Sequence, residues 1–191
     1  MATVKILIEG YTNADSIAAG ASSGEEKTCP TVTLVRDEGI VMVCDPGVLD
    51  SQDMLVEALK KEGLTIADVT HVFITHSHID HYRNIGMFPT AKTLECWGIW
   101  DRGVCTAWDE QFTKDIKIIK TPGHNYDGLT LLVTTDQGTI AICGDVFWKE
   151  DGPTSDPYAS DPAQLTKSRE LVVSSADFII PGHAGMYKVS K

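Results

Sequence analysis

The stretch Val69-Thr-His-Val-Phe-Ile-Thr-His-Ser-His-Ile-Asp-His81 decides how the rest of the chain is read. Residues 69–75 are mostly apolar and β-branched, the composition of a buried strand. That strand runs straight into His76, His78, Asp80 and His81, four metal-binding side chains within six residues. Residues two apart in an extended segment point the same way, so His76 and His78 can grip one cation. His71, inside the strand, reads as an ordinary packed histidine.

Three more residues of the same chemistry stand at expected strand ends. His124 follows Thr121-Pro-Gly, His183 follows Pro181-Gly, and Asp145 follows Gly144. A glycine before each of these two histidines permits a sharp turn. Taken singly, His124 and His183 read as hydrogen-bonded polar residues and Asp145 as a turn cap. Their conjunction with 76–81 is what points to metal. Nitrogen and carboxylate donors without thiolate suit zinc in a catalytic site, with iron or manganese as competitors. Seven ligands exceed what one tetrahedral ion can use, and two ions sharing a carboxylate would use them all. The five cysteines (Cys29, Cys44, Cys96, Cys105, Cys143) form no CxxC pair and lie away from the histidines. They read as reduced thiols, and Cys44 and Cys143 sit in apolar runs.

Outward from the motif, a first strand spans the start of the chain to Ile8. Two more flank the turn Asp37-Glu38-Gly39, and a helix over 51–61 takes Asp50 or Ser51 as N-cap. Helical turns are expected over 82–88. Further strands are expected near 92–96, 116–120, 129–135, 139–143 and 177–180. A helix begins at Pro162 with Asp161 as N-cap. Strands, helix, strands, helix in each half predict two packed sheets with helices outside. The halves are expected to meet near 89–96, within a single domain covering 1–191. The segments 10–30 and 149–162 read as loops able to overhang a site.

The chain has 191 residues with 27 acidic against 16 basic, a formal net charge of −11. Such a surface repels phosphate backbones, so RNA is not a favoured partner and a small molecule is. Two bound divalent ions would leave −7. The N-terminus lacks the features of a signal peptide and no apolar run spans a bilayer, which predicts a cytoplasmic chain without a membrane partner. A homodimer is compatible with the sequence.

These residues resemble the metallo-β-lactamase superfamily of metallo-hydrolases. Cys44-Asp-Pro-Gly47 looks like its first motif, His76 to His81 the second, His124 the third, Asp145 the fourth and His183 the fifth. The resemblance implies an α/β fold, a four-layer αββα sandwich of two mixed sheets with outer helices. It also implies that His76, His78 and His124 hold one ion, Asp80, His81 and His183 the other, with Asp145 bridging and Asp45 orienting ligands behind them. Ala67-Asp-Val-Thr, Asn84-Ile-Gly-Met-Phe-Pro, Gly144-Asp-Val-Phe, Ser160-Asp-Pro-Ala and Ser168-Arg look like a compact branch of that superfamily. The familiar zinc β-lactamases carry cysteine where Asp145 stands, so antibiotic hydrolysis is not implied. Diiron members carry glutamate at His78. No glutathione-binding helical domain is expected beyond His183.

The expected activity is hydrolysis of a small ester, thioester, lactone or phosphodiester by a hydroxide held between two zinc ions. Asp80 is a candidate proton acceptor, and Tyr126, close behind His124, a candidate oxyanion donor as in lactonase-like relatives. Trp97, Trp100, Trp108 and Trp148 are candidate substrate walls or ordinary packing. The resemblance leaves two alternatives: a compact endoribonuclease, and a mononuclear iron persulfide dioxygenase.

Overall fold

Alternation along the strands sorts the apolar side chains into three cores. The computed structural model describes residues 1–20, 24–150 and 152–190. The chain runs β1 (Thr3–Ile8), β2 (Tyr11–Thr12), α1 (Ala14–Ala18), β3 (Thr28–Cys29), β4 (Val32–Asp37), β5 (Ile40–Cys44) and α2 (Asp53–Lys61). It continues through β6 (His71–Phe73), α3 (Ile79–Tyr82), β7 (Lys92–Glu95), β8 (Gly98–Asp101), β9 (Val104–Thr106) and β10 (Ile116–Lys120). Then come β11 (Leu129–Thr135), β12 (Gly138–Ile142), α4 (Pro162–Ser175), β13 (Phe178–Ile180) and β14 (Tyr187–Lys188).

One sheet has the order β1-β4-β5-β6-β7-β8-β9 and the second β10-β11-β12-β13-β14. Both are mixed: β5 pairs parallel with β6 and β12 parallel with β13, each after a helical crossover. The strand period of two splits each strand between two layers. Met42 and Cys44 face inward to meet Ile116, Ile118, Leu131 and Ile142 between the sheets. Val43 faces outward, in the cluster that holds Leu55 and Leu59 of α2. On the other side Leu132 and Ala141 share a cluster with Leu165 and Val172 of α4. The result is an αββα sandwich.

The strand ends position the site. Asp45 follows β5, the 76–81 motif follows β6, His124 follows β10, Asp145 follows β12 and His183 follows β13. All five points lie at C-terminal ends of strands. Among the described residues, no helix is long and apolar enough to cross a membrane.

Four boundaries differ from expectation. The halves meet at 107–115 rather than 89–96, because β7, β8 and β9 extend the first sheet. β8 and β9 carry no alternation to read: most of their residues are exposed on both faces of an edge hairpin. The 51–61 helix begins at Asp53, since Ser51 Oγ accepts the Asp53 N–H at 3.2 Å in a local turn. The segment 10–30 is no plain loop. It carries β2, α1 and β3, with β2 and β3 paired. Residues 21–23 of that segment, and residue 151 of 149–162, lie outside the described residues. At α4 the expected cap is present, Asp161 Oδ1 accepting the Gln164 N–H at 2.9 Å.

Candidate metal centre

Two groups of ligand atoms converge at these strand ends. His76, His78, His124 and Asp145 form one and Asp80, His81 and His183 the other, the atoms of each lying within 4.8 Å of one another. In the first group His76 Nε2 and His124 Nε2 each stand 3.0 Å from His78 Nδ1. Asp145 Oδ2 stands 3.3 Å from His124 Nε2 and 4.0 Å from His76 Nε2. In the second, Asp145 Oδ1 lies 3.4 Å from His81 Nε2 and 3.2 Å from His183 Nε2. Asp80 Oδ2 lies 3.8 and 3.7 Å from the same two nitrogens. Ligands about 2 Å from a tetrahedral ion stand roughly 3.3 Å apart, so both groups have the spacing of a coordination shell. One oxygen of Asp145 faces each group.

The far side of each imidazole is fixed by the protein. His81 Nδ1 lies 2.9 Å from Asp45 Oδ2, His124 Nδ1 2.6 Å from Asp156 Oδ2, and His183 Nδ1 2.9 Å from the Cys29 carbonyl. His76 Nδ1 lies 3.1 Å from Thr75 Oγ1. These contacts leave Nε2 of each ring for the centre, whereas His78 offers Nδ1. Asp45 also accepts the Thr75 N–H and hydroxyl, at 2.8 and 2.7 Å. It does so from a left-handed backbone, φ +48, which a non-glycine residue adopts rarely and at a cost. Asp45 therefore touches a ligand's far nitrogen, away from both groups of ligand atoms.

The two glycines before histidines serve different ends. Gly123 has φ +133, a true turn requirement. Gly182 needs space: a Cβ there would overlap Asp145 Oδ1.

Burial and the close approach of carboxylates to imidazoles shift the protonation of both. Burial alone would lower the His81 pKa, but Asp145 and Asp45 outweigh it and hold it well above the ordinary value. His183 is raised the same way, burial being offset by Asp145. Burial and neighbouring histidines push His76 and His78 down. Burial would raise Asp145, yet His183 and His81 hold it well below the usual carboxylate range. Asp145 Oδ1 and His81 Nε2 are buried without a hydrogen-bond partner. They face each other at 3.4 Å as a carboxylate–imidazole pair, and a cation between them would satisfy both. The residues present fit bound metal.

A groove of about 430 Å³ opens onto His78, Asp80, His124, Asp145 and His183. Its other walls are Thr12, Ala14, Glu26, Thr28, Ile79, Trp148 and Tyr158. The segments 10–30 and 149–162 meet across it, where the Tyr158 hydroxyl donates to Glu26 Oε2 at 2.5 Å. Lys149 also pairs with Asp15. Trp148 is buried, edge-on to His124 at 6.1 Å. Tyr126, Trp97, Trp100 and Trp108 are not among the lining residues. Tyr126 is 69% exposed and faces a neighbouring groove with Trp97 and Lys120. His71 pairs with Thr70 Oγ1 at 2.9 Å and packs edge-on against Phe112.

Sequence reasoning missed Asp156, Thr75, Thr28 and Tyr158. Thr28 Oγ1 donates to Asp80 Oδ2 at 3.3 Å and lies 3.2 Å from His183 Nδ1. The acidic run around Asp156 was the available signal.

Comparison with known proteins places these observations. The family described as the Metallo-beta-lactamase superfamily matches residues 30–94. Metallo-beta-lactamase domain-containing protein 1 of Xenopus laevis is 34% identical over 99% of this chain and 82% of its own length. The rat and human proteins of that name are 32% and 30% identical over 78% of this chain, which spans only 63% and 59% of their length. Among solved structures, a candidate metallo-beta-lactamase of Thermotoga maritima superposes with a TM-score of 0.74 at 22% identity, covering 98% of this chain and 99% of its own. An N-acyl homoserine lactone hydrolase, solved with its product N-hexanoyl-L-homoserine at the catalytic metal centre, gives a TM-score of 0.72 at 16% identity over 95% and 92%.

Proposed function

This chain belongs to the metallo-beta-lactamase superfamily, and on that premise we propose that it is a zinc-dependent binuclear hydrolase of a small ester, thioester, lactone or phosphodiester. The observation that carries the reading is the Asp145 carboxylate, buried, with one oxygen toward each group of histidines and Oδ1 without a hydrogen-bond partner. A carboxylate so placed is suited to bridge two ions, with His76, His78 and His124 on one and Asp80, His81 and His183 on the other.

Bound divalent ions would lower the pKa of a water to about 7 and polarise the substrate oxygen. The chain's own residues do the rest. Asp80, at the groove and hydrogen-bonded to Thr28, is placed to accept a proton from the attacking water. Trp148 and Ile79 offer apolar surface, while Thr12, Thr28 and Tyr158 offer hydroxyls to orient a polar substrate. Water adds across the scissile bond: an ester or lactone gives carboxyl and hydroxyl groups, a thioester an acid and a thiol, and a phosphodiester a phosphomonoester and an alcohol.

Groove composition favours a small molecule over RNA. No lysine or arginine is among the groove's lining residues, and Lys149, the basic residue of 149–162, is paired with Asp15. A polyphosphate chain would find no counter-charge of protein origin there. Tyr126 stands in the neighbouring groove rather than this one, and the Tyr158 hydroxyl, which does line it, already donates to Glu26.

The test is turnover by zinc-loaded protein of 4-nitrophenyl acetate, a hexanoyl lactone and bis(4-nitrophenyl) phosphate, with single-stranded RNA alongside and a persulfide offered to iron-loaded protein. At least one small substrate should be hydrolysed, and His76→Ala and Asp80→Ala should each abolish it. Cleavage of RNA alone, or oxygen uptake with the persulfide, would overturn the reading. So would full turnover in Asp80→Ala with metal still bound.

A further inference from the structure

In the 149–162 segment the Asp156 side chain is 0% exposed. A buried carboxylate is tolerated only where its oxygens are satisfied. Its two oxygens are divided between two jobs. Oδ2 lies 2.6 Å from His124 Nδ1, and Oδ1 accepts the Tyr158 N–H at 2.8 Å. The segment closes on the His124 turn through its backbone as well. Ser160 N–H donates to the His124 carbonyl at 3.0 Å and Asp161 N–H to the Gly123 carbonyl at 2.9 Å.

A carboxylate can only accept, so His124 must carry its proton on Nδ1 and present a lone pair at Nε2. That Nε2 is the atom 3.0 Å from His78 Nδ1 and 3.3 Å from Asp145 Oδ2. On the other oxygen, Tyr158 stacks on Trp148 with ring centres 5.9 Å apart, and Trp148 stands edge-on to His124. The metal-facing imidazole and the groove wall therefore hang on one side chain.

We propose that Asp156 is a positioning residue: it fixes the tautomer of His124 for metal binding and anchors the Tyr158 wall to the same point, coupling occupancy of that metal position to the order of the substrate groove. The proposal rests on His124 being a ligand, as the proposed function holds.

The test uses the full chain and the variants Asp156→Asn and Asp156→Ala. Nitrogen NMR of the metal-free protein reads the His124 tautomer directly. Wild type should show the Nδ1–H form, and Asp156→Asn, whose amide can donate to Nδ1, should show a mixture or the reverse. Chelator competition then reads zinc affinity. One zinc equivalent should weaken about 10–100-fold in Asp156→Asn, with the other unchanged. Zinc should slow amide hydrogen exchange at Tyr158 in wild type and not in Asp156→Ala. A side chain with a merely structural role would lower the melting temperature and leave tautomer and zinc affinity as in wild type, which overturns the proposal. If wild type failed to bind zinc while its His124 tautomer still depended on Asp156, the metal reading would fall and the positioning of the ring would stand.

Discussion

Substituting Gly182 by alanine adds one methyl group at the point where the backbone passes the Asp145 carboxylate. A Cβ built there overlaps Asp145 Oδ1 and stands 3.1 Å from its Cγ and from the Gly144 carbonyl carbon. Neither side can yield cheaply. The Gly182 N–H donates to the Phe147 carbonyl at 2.8 Å, and its own carbonyl accepts the Thr31 N–H at 2.6 Å. Asp145 is 6% exposed and enclosed by His81, His124 and His183. Restoring ordinary van der Waals contact requires a displacement on the order of 1 Å. Overpacking of this kind costs about 1–3 kcal/mol, or roughly 2–12 °C in melting temperature for a chain of this size. If Asp145 bridges two ions as proposed, a 1 Å error in its position should also cost about 100-fold in turnover. The assay pairs the melting temperature of chelated protein with metal equivalents retained after dialysis. Gly86→Ala is the control, since nothing lies within 4 Å of its Cβ position. Wild-type metal retention and turnover in Gly182→Ala would refute the placement of Asp145 at the centre of the site.

Three further outcomes are expected. In chelated protein the raised pKa values of His81 and His183 contribute stability that is fully present below about pH 6.5 and is lost as pH rises through those raised values. Zinc must displace the same protons, so the melting-temperature gain on adding zinc should grow from about pH 6 to about pH 8; a flat or shrinking gain would contradict this. Asp45→Ala leaves Thr75 and His81 without their buried acceptor, and should cost about 3–5 kcal/mol in a denaturant titration. Asp161→Ala removes the cap of α4 and should lower stability by about 1 kcal/mol, seen as a drop of roughly 2–4 °C with metal binding untouched.

What could be read from the sequence was whatever obeys a period or a spacing. Met42, Val43 and Cys44 alternate between the inner core and the α2 face, so β5 is visible in the residues themselves. The seven candidate ligands stand at strand ends with distinctive neighbours, and the structure brings all seven together. The edge hairpin of β8 and β9 follows no such rule. Trp100, Val104 and Cys105 there are exposed, and without a buried face there is no alternation to detect. Asp156 was hidden for another reason. It lies 32 residues from His124 among other acidic residues, and only the tertiary fold buries its side chain. Gly182 was read as a turn, but the constraint on it is the carboxylate it passes, which no local pattern encodes.

The number of metal ions the chain holds decides whether the two ligand groups form a metal centre. Elemental analysis of purified protein, repeated on His124→Ala and His183→Ala, measures this. Wild type should carry about two equivalents of zinc, or of another divalent ion, and each variant should lose at least one. A chain that holds no metal after purification and after zinc reconstitution would contradict this reading, and would leave Asp145 Oδ1 with only its ion pairs to His81 and His183.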